Sequence, residues 1–231
     1  MGGGNTSPYF LWGDLMYTLK KDFLDKGHRV RPGGRNTKNS ITIHSTGNLA
    51  SSSENERKWL DNPQNTRMAS WHYVIGEGMV IQAIPDEETA YHCGNSTGNA
   101  YSLGIEIIES GERSLVLLTA AEFVADKLKE LNLSPDCLRQ HFNWSAKDCP
   151  RILRNKNYIQ GTMDWEWFKK VVKMFYNGEI VEYARMKVDG EYLLVRRILK
   201  DGTNYIAIRD IADYLGFDIS SEGNVAVLTK K

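Results

Sequence analysis

SLGIEIIESGERSLVLLTAAEFVADKLKEL, residues 102–131, holds the two periodicities on which the fold turns. Leu103 to Ile108 is an apolar run of strand length with one carboxylate, Glu106, in its middle. Further on, Thr119-x-x-Glu122 has the spacing of a capping box. Behind it, Ala121, Val124, Ala125 and Leu128 fall at i, i+3, i+4 and i+7, which predicts an amphipathic helix starting at Thr119. A strand followed by an amphipathic helix is the repeating unit of α/β proteins.

The same alternation extends in both directions. Upstream, Ile41-Thr-Ile43 reads as a short buried strand that delivers His44 at its end, and Ser51-x-x-Glu54 as a capping box for a helix reaching about Leu60 before Pro63. His72–Ile75 and Met79–Ile84 read as strands joined by a Gly76-Glu77-Gly78 turn. Tyr9 to Leu24 reads as a helix through Leu11, Leu15, Leu19 and Phe23, and Gly27 to Asn39 as a loop. Downstream, Phe168, Val171, Val172 and Phe175 repeat the helical spacing, with Asp164 as the cap. The expectation is an α/β fold with a mixed central β-sheet flanked by helices, spanning residues 1–179. Residues 180–231 differ in character and are expected to form a small α+β domain. Its strands lie between 180 and 200 around an Asp189-Gly190 turn, a short helix runs from Ile208 to Leu215, and a last strand covers Val225–Leu228.

Bulk composition narrows the function classes. The chain of 231 residues is 41% apolar and 25% charged, the make-up of an ordinary globular protein. Lys+Arg and Asp+Glu both number 29, so there is no net charge to favour nucleic acid, whose binding leans on phosphate neutralisation. No apolar run approaches the roughly 18 residues of a membrane span. Met1 to Ser7 is Gly-rich and polar rather than a basic and then apolar leader. The expectation is synthesis in the cytoplasm without a signal peptide. The cysteines, Cys93, Cys137 and Cys149, are 3 in number, too few and too odd for a disulfide scaffold.

Histidine and cysteine positions carry the chemistry. His141-Phe-Asn-Trp-Ser-Ala-Lys147-Asp-Cys149-Pro150 places an imidazole and a thiol 8 residues apart on a loop stiffened by Trp144 and Pro150. Neutral imidazole and thiolate are both good zinc ligands, and three protein ligands leave the open position that distinguishes a catalytic from a structural site. His44, alternating away from Ile41 and Ile43, reads either as a further ligand or as a hydrogen-bonded core histidine. Glu106 reads either as a buried carboxylate tuned for general-base work or as an outward-facing residue of a half-exposed strand.

At this point a resemblance emerges. Arg-Pro-Gly at 31–33, Ile-Thr-Ile-His-Ser-Thr-Gly-Asn at 41–48, Ala-Ser-Trp-His-Tyr-Val at 69–74, Ala-Tyr-His-Cys-Gly at 90–94, Ser-Leu-Gly-Ile-Glu-Ile at 102–107 and the Trp-Ser-x-Lys-x-Cys-Pro loop ending at 150 follow one another in order. Together they resemble the type-2 N-acetylmuramoyl-L-alanine amidases, a family that includes phage endolysins and peptidoglycan recognition proteins. The resemblance implies a Zn2+ held by His44, His141 and Cys149, with Glu106 as general base and Lys147 stabilising the oxyanion. It implies substrate-groove positions at His92, which reads as a substrate contact or as support for a ligand, and at Trp71, where some members carry a tyrosine. A serine at position 149 would accompany zinc loss in this family. The implied activity is hydrolysis of the amide between the lactyl group of N-acetylmuramic acid and L-alanine in bacterial peptidoglycan. Action on the cell wall would follow release, as in phage-driven lysis. His72 reads as structural, Cys93 and Cys137 as non-ligands and His28 as solvated.

Residues 205–217 and 224–228 resemble the small domain found in the N-terminal part of copper amine oxidases. Without His or Cys in this part, no copper site is implied. It reads either as a cell-wall attachment module or as a packing element that could support a homodimer. The rival readings are a non-catalytic peptidoglycan-binding protein of the same fold, a purely structural zinc site, and a different bond cleaved in the wall.

Overall fold

The structure, a computed structural model, describes residues 17–178, 182–188, 191–200, 203–222 and 225–231. These fall into two compact units, divided between Gly178 and Glu179.

The first unit is built on strands β1 (Thr18–Lys21), β2 (Ser40–Ser45), β3 (Tyr73–Ile75), β4 (Met79–Gln82), β5 (Ser102–Ile107) and β6 (Leu138–Gln140). They form a 6-stranded sheet in the order β1-β4-β3-β5-β2-β6. β3 and β4 are antiparallel across the Gly76–Gly78 turn, and the other pairs are parallel, which bears out the mixed sheet. Every residue from Ser40 to His44 is buried, as are Ser102 to Ile105, so both faces of the two central strands are covered. Such strands read as continuous apolar runs rather than alternating ones. Helices α1 (Ser53–Asp61), α2 (Ser96–Tyr101), α3 (Arg113–Glu130), α4 (Phe142–Ser145), α5 (Arg151–Arg154) and α6 (Trp165–Asn177) complete the unit. α6 is capped by Asp164, whose side chain accepts from Trp167 N, and it buries Phe168, Val171 and Val172.

Several elements depart from expectation. Thr18 to Lys21, placed in a helix by sequence, is the parallel edge strand β1, while residues 9–16 of that helix lie outside the described residues. Leu15, Leu19 and Phe23 are spaced by four, an even number, so the pattern marks one face of a strand as well as of a helix. Thr119 does not start α3, which begins at Arg113 with Glu112 as cap, accepting from Ser114 N and Leu115 N. Thr119 is buried mid-helix and its Oγ1 accepts from Gly78 N at 3.2 Å, tying the β3–β4 turn to α3. In α1 the capping side chain is Ser52 rather than Ser51.

The second unit contains a 3-stranded antiparallel sheet of β7 (Glu182–Val188), β8 (Glu191–Lys200) and β9 (Thr203–Ile206), and a hairpin of β10 (Phe217–Glu222) and β11 (Val225–Lys230). The predicted turn at Asp189-Gly190 lies outside the described residues. The predicted helix at Ile208–Leu215 is a 3-10 turn over Ile208–Asp210 followed by further turns.

A polar network sits inside the first unit. Asp86 accepts from the Tyr73 hydroxyl, from Gln82 Nε2 at 2.9 Å and from Lys127 Nζ at 3.1 Å, which couples α3 to the β3–β4 hairpin. The Lys127 and Asp86 side chains are 7% and 11% exposed. Removing one partner of a buried pair strands the other charge, at a cost of about 3–5 kcal/mol. Asp86→Ala is expected to lower stability by about 3 kcal/mol in urea unfolding, because Lys127 keeps only the exposed Glu130 and the Tyr73 hydroxyl loses this acceptor. Lys127→Met is expected to cost less, because the Asp86 carboxylate keeps its two other donors.

Candidate metal centre

β2 ends at His44 and Ser45, and β6 pairs beside it with Ile43 opposite Gln140, so His141 leaves the neighbouring strand at the same end of the sheet. The chain then runs through α4, reverses at Ala146 in the left-handed region (φ 58), and returns as Lys147-Asp148-Cys149. This brings His44 Nδ1 to 2.9 Å from His141 Nδ1 and to 3.8 Å from Cys149 Sγ. All three side chains are buried, and their donor atoms lie within 4.8 Å of one another. No other such group of His, Cys, Asp or Glu occurs among the described residues.

The electrostatics keep the two imidazoles neutral and the thiol protonated. Burial, helped by the neighbouring imidazoles and Lys147, holds His44 well below the usual histidine range. Burial and then Lys147 bring His141 down to about 4. Both rings are therefore neutral at pH 7. Burial, reinforced by Glu106, pushes the Cys149 thiol up to about 12. Two neutral imidazoles and a thiol form a donor set for a soft-to-borderline cation such as zinc.

Glu106 stands opposite His44 in the parallel β2–β5 register. Its Oε2 has no hydrogen-bond partner among the described residues. Burial and the charge of Glu56 raise its carboxyl to about 8, while Lys147 pulls the other way. Lys147 is exposed on the loop, and its charge reaches His44, His141, Glu106 and Cys149. Trp71 is buried just before β3, its Nε1 also without a partner among the described residues. His92 is buried beneath His44, with Nδ1 3.0 Å from His44 Nε2. His72 accepts from Gly104 N at Nδ1 and meets the Glu88 carbonyl at Nε2. Cys93 and Cys137 stand outside the group of donors. His28, expected in solvent, is half-buried and 3.8 Å from Asp61.

Sequence reasoning missed a clamp. Glu109, just beyond β5, has a fully buried side chain and receives Arg151 Nε at 2.8 Å and Gly47 N at 3.0 Å. Arg151 N donates to Ser45 Oγ at 3.1 Å, and its guanidinium lies over Tyr158 at 4.3 Å. Burial would raise the Glu109 carboxyl, but the bonds from Arg151, Ser45 and Gly47 outweigh it and hold the group low. The clamp ties the Cys149 loop and the segment after β2 to β5. The available signals were a second carboxylate at the strand end and an arginine two residues after Cys149.

With this geometry in hand, the relatives can be placed. The profile of the N-acetylmuramoyl-L-alanine amidase family matches residues 34–152. N-acetylmuramoyl-L-alanine amidase CwlH of Bacillus subtilis (strain 168) is 35% identical over 145 residues, covering 60% of this chain and 57% of that one. Endolysin PlyTW of Staphylococcus phage Twort is 30% identical over 145 residues, covering 53% and 31%. The chain spans about half the length of the first curated relatives it matches. Among solved structures, the catalytic domain of XlyA is similar with a TM-score of 0.60 and 30% identity, covering 67% of this chain and 99% of that one. Residues 180–231 fall outside the family match.

The protonation states set how metal uptake should respond to pH. Between about pH 5 and pH 8 the imidazoles are already neutral and the thiol still holds its proton, so uptake must release it. Apparent zinc affinity is expected to rise at least about tenfold per pH unit over that range, read by competition with a chromophoric chelator. Cys149→Asp should flatten the dependence, because a carboxyl starts from an ordinary pKa of about 3.9, far below a thiol's, and even when burial raises it, it gives up its proton at lower pH.

Proposed function

This chain belongs to the N-acetylmuramoyl-L-alanine amidase family, and on that premise we propose that it hydrolyses the amide between the lactyl group of N-acetylmuramic acid and L-alanine in bacterial peptidoglycan. The observation that carries the reading is one juxtaposition. His44, His141 and Cys149 converge beside Glu106, a carboxyl whose buried Oε2 has no partner among the described residues, at one end of the sheet.

In this reading His44, His141 and Cys149 hold zinc, which when bound supplies a Lewis acid for the scissile carbonyl. Glu106 takes the proton of the attacking water and passes it to the leaving amine of L-alanine. A carboxyl raised toward neutrality suits both steps, since the best catalytic pKa lies near the operating pH. Lys147 presents its ammonium to the oxygen on which negative charge develops. The buried walls around His44 and Cys149 limit the water that would otherwise screen these charges.

Residues 180–231 are proposed as an accessory module, either a cell-wall anchor of the kind suggested by the copper amine oxidase resemblance or a contact between two copies of the chain. The similarity to a phage endolysin supports action on the wall after release from the cell.

The test is a digest of purified peptidoglycan with and without chelator, followed by analysis of new chain ends. The expected result is free L-alanine amines without new reducing sugars, lost on chelation and restored by zinc. New amines elsewhere in the stem peptide would move the cleaved bond. Wall binding without new ends, by zinc-loaded protein, would sink the enzyme reading. Glu106→Gln is expected to lower kcat by about 10²–10⁴-fold with zinc content unchanged. Lys147→Met is expected to raise the barrier by about 3 kcal/mol.

A further inference from the structure

We infer that His92 is a positioning residue that fixes His44 in the tautomer whose bare Nδ1 faces His141 and Cys149. The inference rests on reading those three side chains as metal ligands. His92 Nε2 lies 3.1 Å from the Ser102 backbone carbonyl, which also accepts from Asn36 Nδ2 at 2.8 Å. A carbonyl oxygen only accepts, so His92 Nε2 carries a hydrogen. The other nitrogen of the neutral ring, Nδ1, is then an acceptor. His44 Nε2 stands 3.0 Å from it and must donate. The His44 proton is thereby committed to Nε2, and its Nδ1 is left with a free lone pair. That is the atom 2.9 Å from His141 Nδ1 and 3.8 Å from Cys149 Sγ. A backbone carbonyl thus sets one imidazole, which sets the next, which aims a lone pair at the metal position. Partners of this kind commonly fix the orientation and tautomer of metal-binding histidines.

A second observation shows that the fold makes room for this ring. A Cβ on Gly104 would lie 2.6 Å from His92 Cγ and 2.7 Å from His92 Nδ1, too close for any side chain. Gly104 N is itself occupied with His72 Nδ1 at 2.9 Å, so β5 cannot shift to relieve the overlap without losing that bond. From the other side, Asn99 Oδ1 accepts from the backbone N–H of His92 at 2.9 Å. The competing donor to His92 Nδ1 is the Cys93 thiol at 3.2 Å, which also has Thr42 Oγ1 within reach at 4.0 Å.

Two measurements test this. In metal-free protein labelled with 15N histidine, the ring of His44 should show a protonated Nε2 and an unprotonated Nδ1; the reverse assignment overturns the inference without any mutation. In zinc competition titrations, His92→Phe should weaken binding about ten- to a hundred-fold. His92→Asn, whose Oδ1 sits near the place of Nδ1 and accepts a hydrogen bond, should recover most of that loss. Unchanged affinity in His92→Phe, or equal loss in both variants, would reduce His92 to a packing residue. His44→Ala and Cys149→Ser serve as a separate control: if they retain wild-type zinc affinity, the ligand reading itself fails, whatever His92 does.

Discussion

The parallel pairing of β2 with β5 is the constraint from which the site follows. Its register sets His44 level with Glu106, and adjacent strands in a sheet are held about 4.8 Å apart by backbone hydrogen bonds alone. On the other flank of β2, the pairing of Ile43 with Gln140 brings His141 out at the same end. Two donors and the carboxylate therefore sit on main chain that cannot drift without breaking the central sheet. Carboxyl ends of parallel strands are where open α/β sheets place their ligands, and here that end gathers His44, His141, Cys149 and Glu106.

The remaining groups arrive on a loop, and a loop needs restraint to be as well placed as a strand. The Glu109–Arg151 clamp supplies it. Arg151 follows Cys149-Pro150 directly, and its contacts reach Ser45 at the end of β2 and Glu109 just past β5. The carboxylate of Glu109 accepts on both oxygens, from Arg151 and from Gly47 N, so its burial is compensated. Glu106 is the contrasting case, with one buried oxygen that has no partner among the described residues, three residues earlier in the same segment. Two carboxylates three residues apart, one in β5 and one just past it, thus differ through their partners. The paired one is held low and fixes structure, while burial raises the one whose Oε2 has no partner among the described residues.

Much of this was legible in the residues, but unevenly. Ile41-Thr-Ile43 and Leu103–Ile108 announced buried strands because a continuous apolar run has few other homes in a chain of this composition. The Gly76–Gly78 turn and the Asp164 cap were readable because turns and caps depend on neighbours in sequence. β6 was missed: Leu138-Arg139-Gln140 is too short and polar to signal a strand, and pairing with β2 alone makes it one. Thr119 misled because its hydroxyl serves a turn far away in sequence rather than the helix it sits in. The Glu109–Arg151 pair is 42 residues apart, so a carboxylate at a strand end and an arginine after Cys149 are each visible in sequence but their pairing is not. The place of His92 beneath His44 depends on the absence of a side chain at Gly104, a contact that spacing along the chain cannot express.

The arrangement also bears on whether the metal centre builds the fold or uses it. A structural zinc site replaces a hydrophobic core too small to hold a chain together. Here the core runs through the sheet independently of the donors: Ile41, Ile43, Val74, Leu103, Ile105, Phe123 and Phe168 are all at most 2% exposed. The His44–His141–Cys149 group lies at one end of that sheet and is braced by the Glu109–Arg151 clamp and by the Ser102 carbonyl through His92. None of those braces needs an ion to form. The sheet therefore does not depend on the donors, and removal of a bound cation should leave the sheet standing.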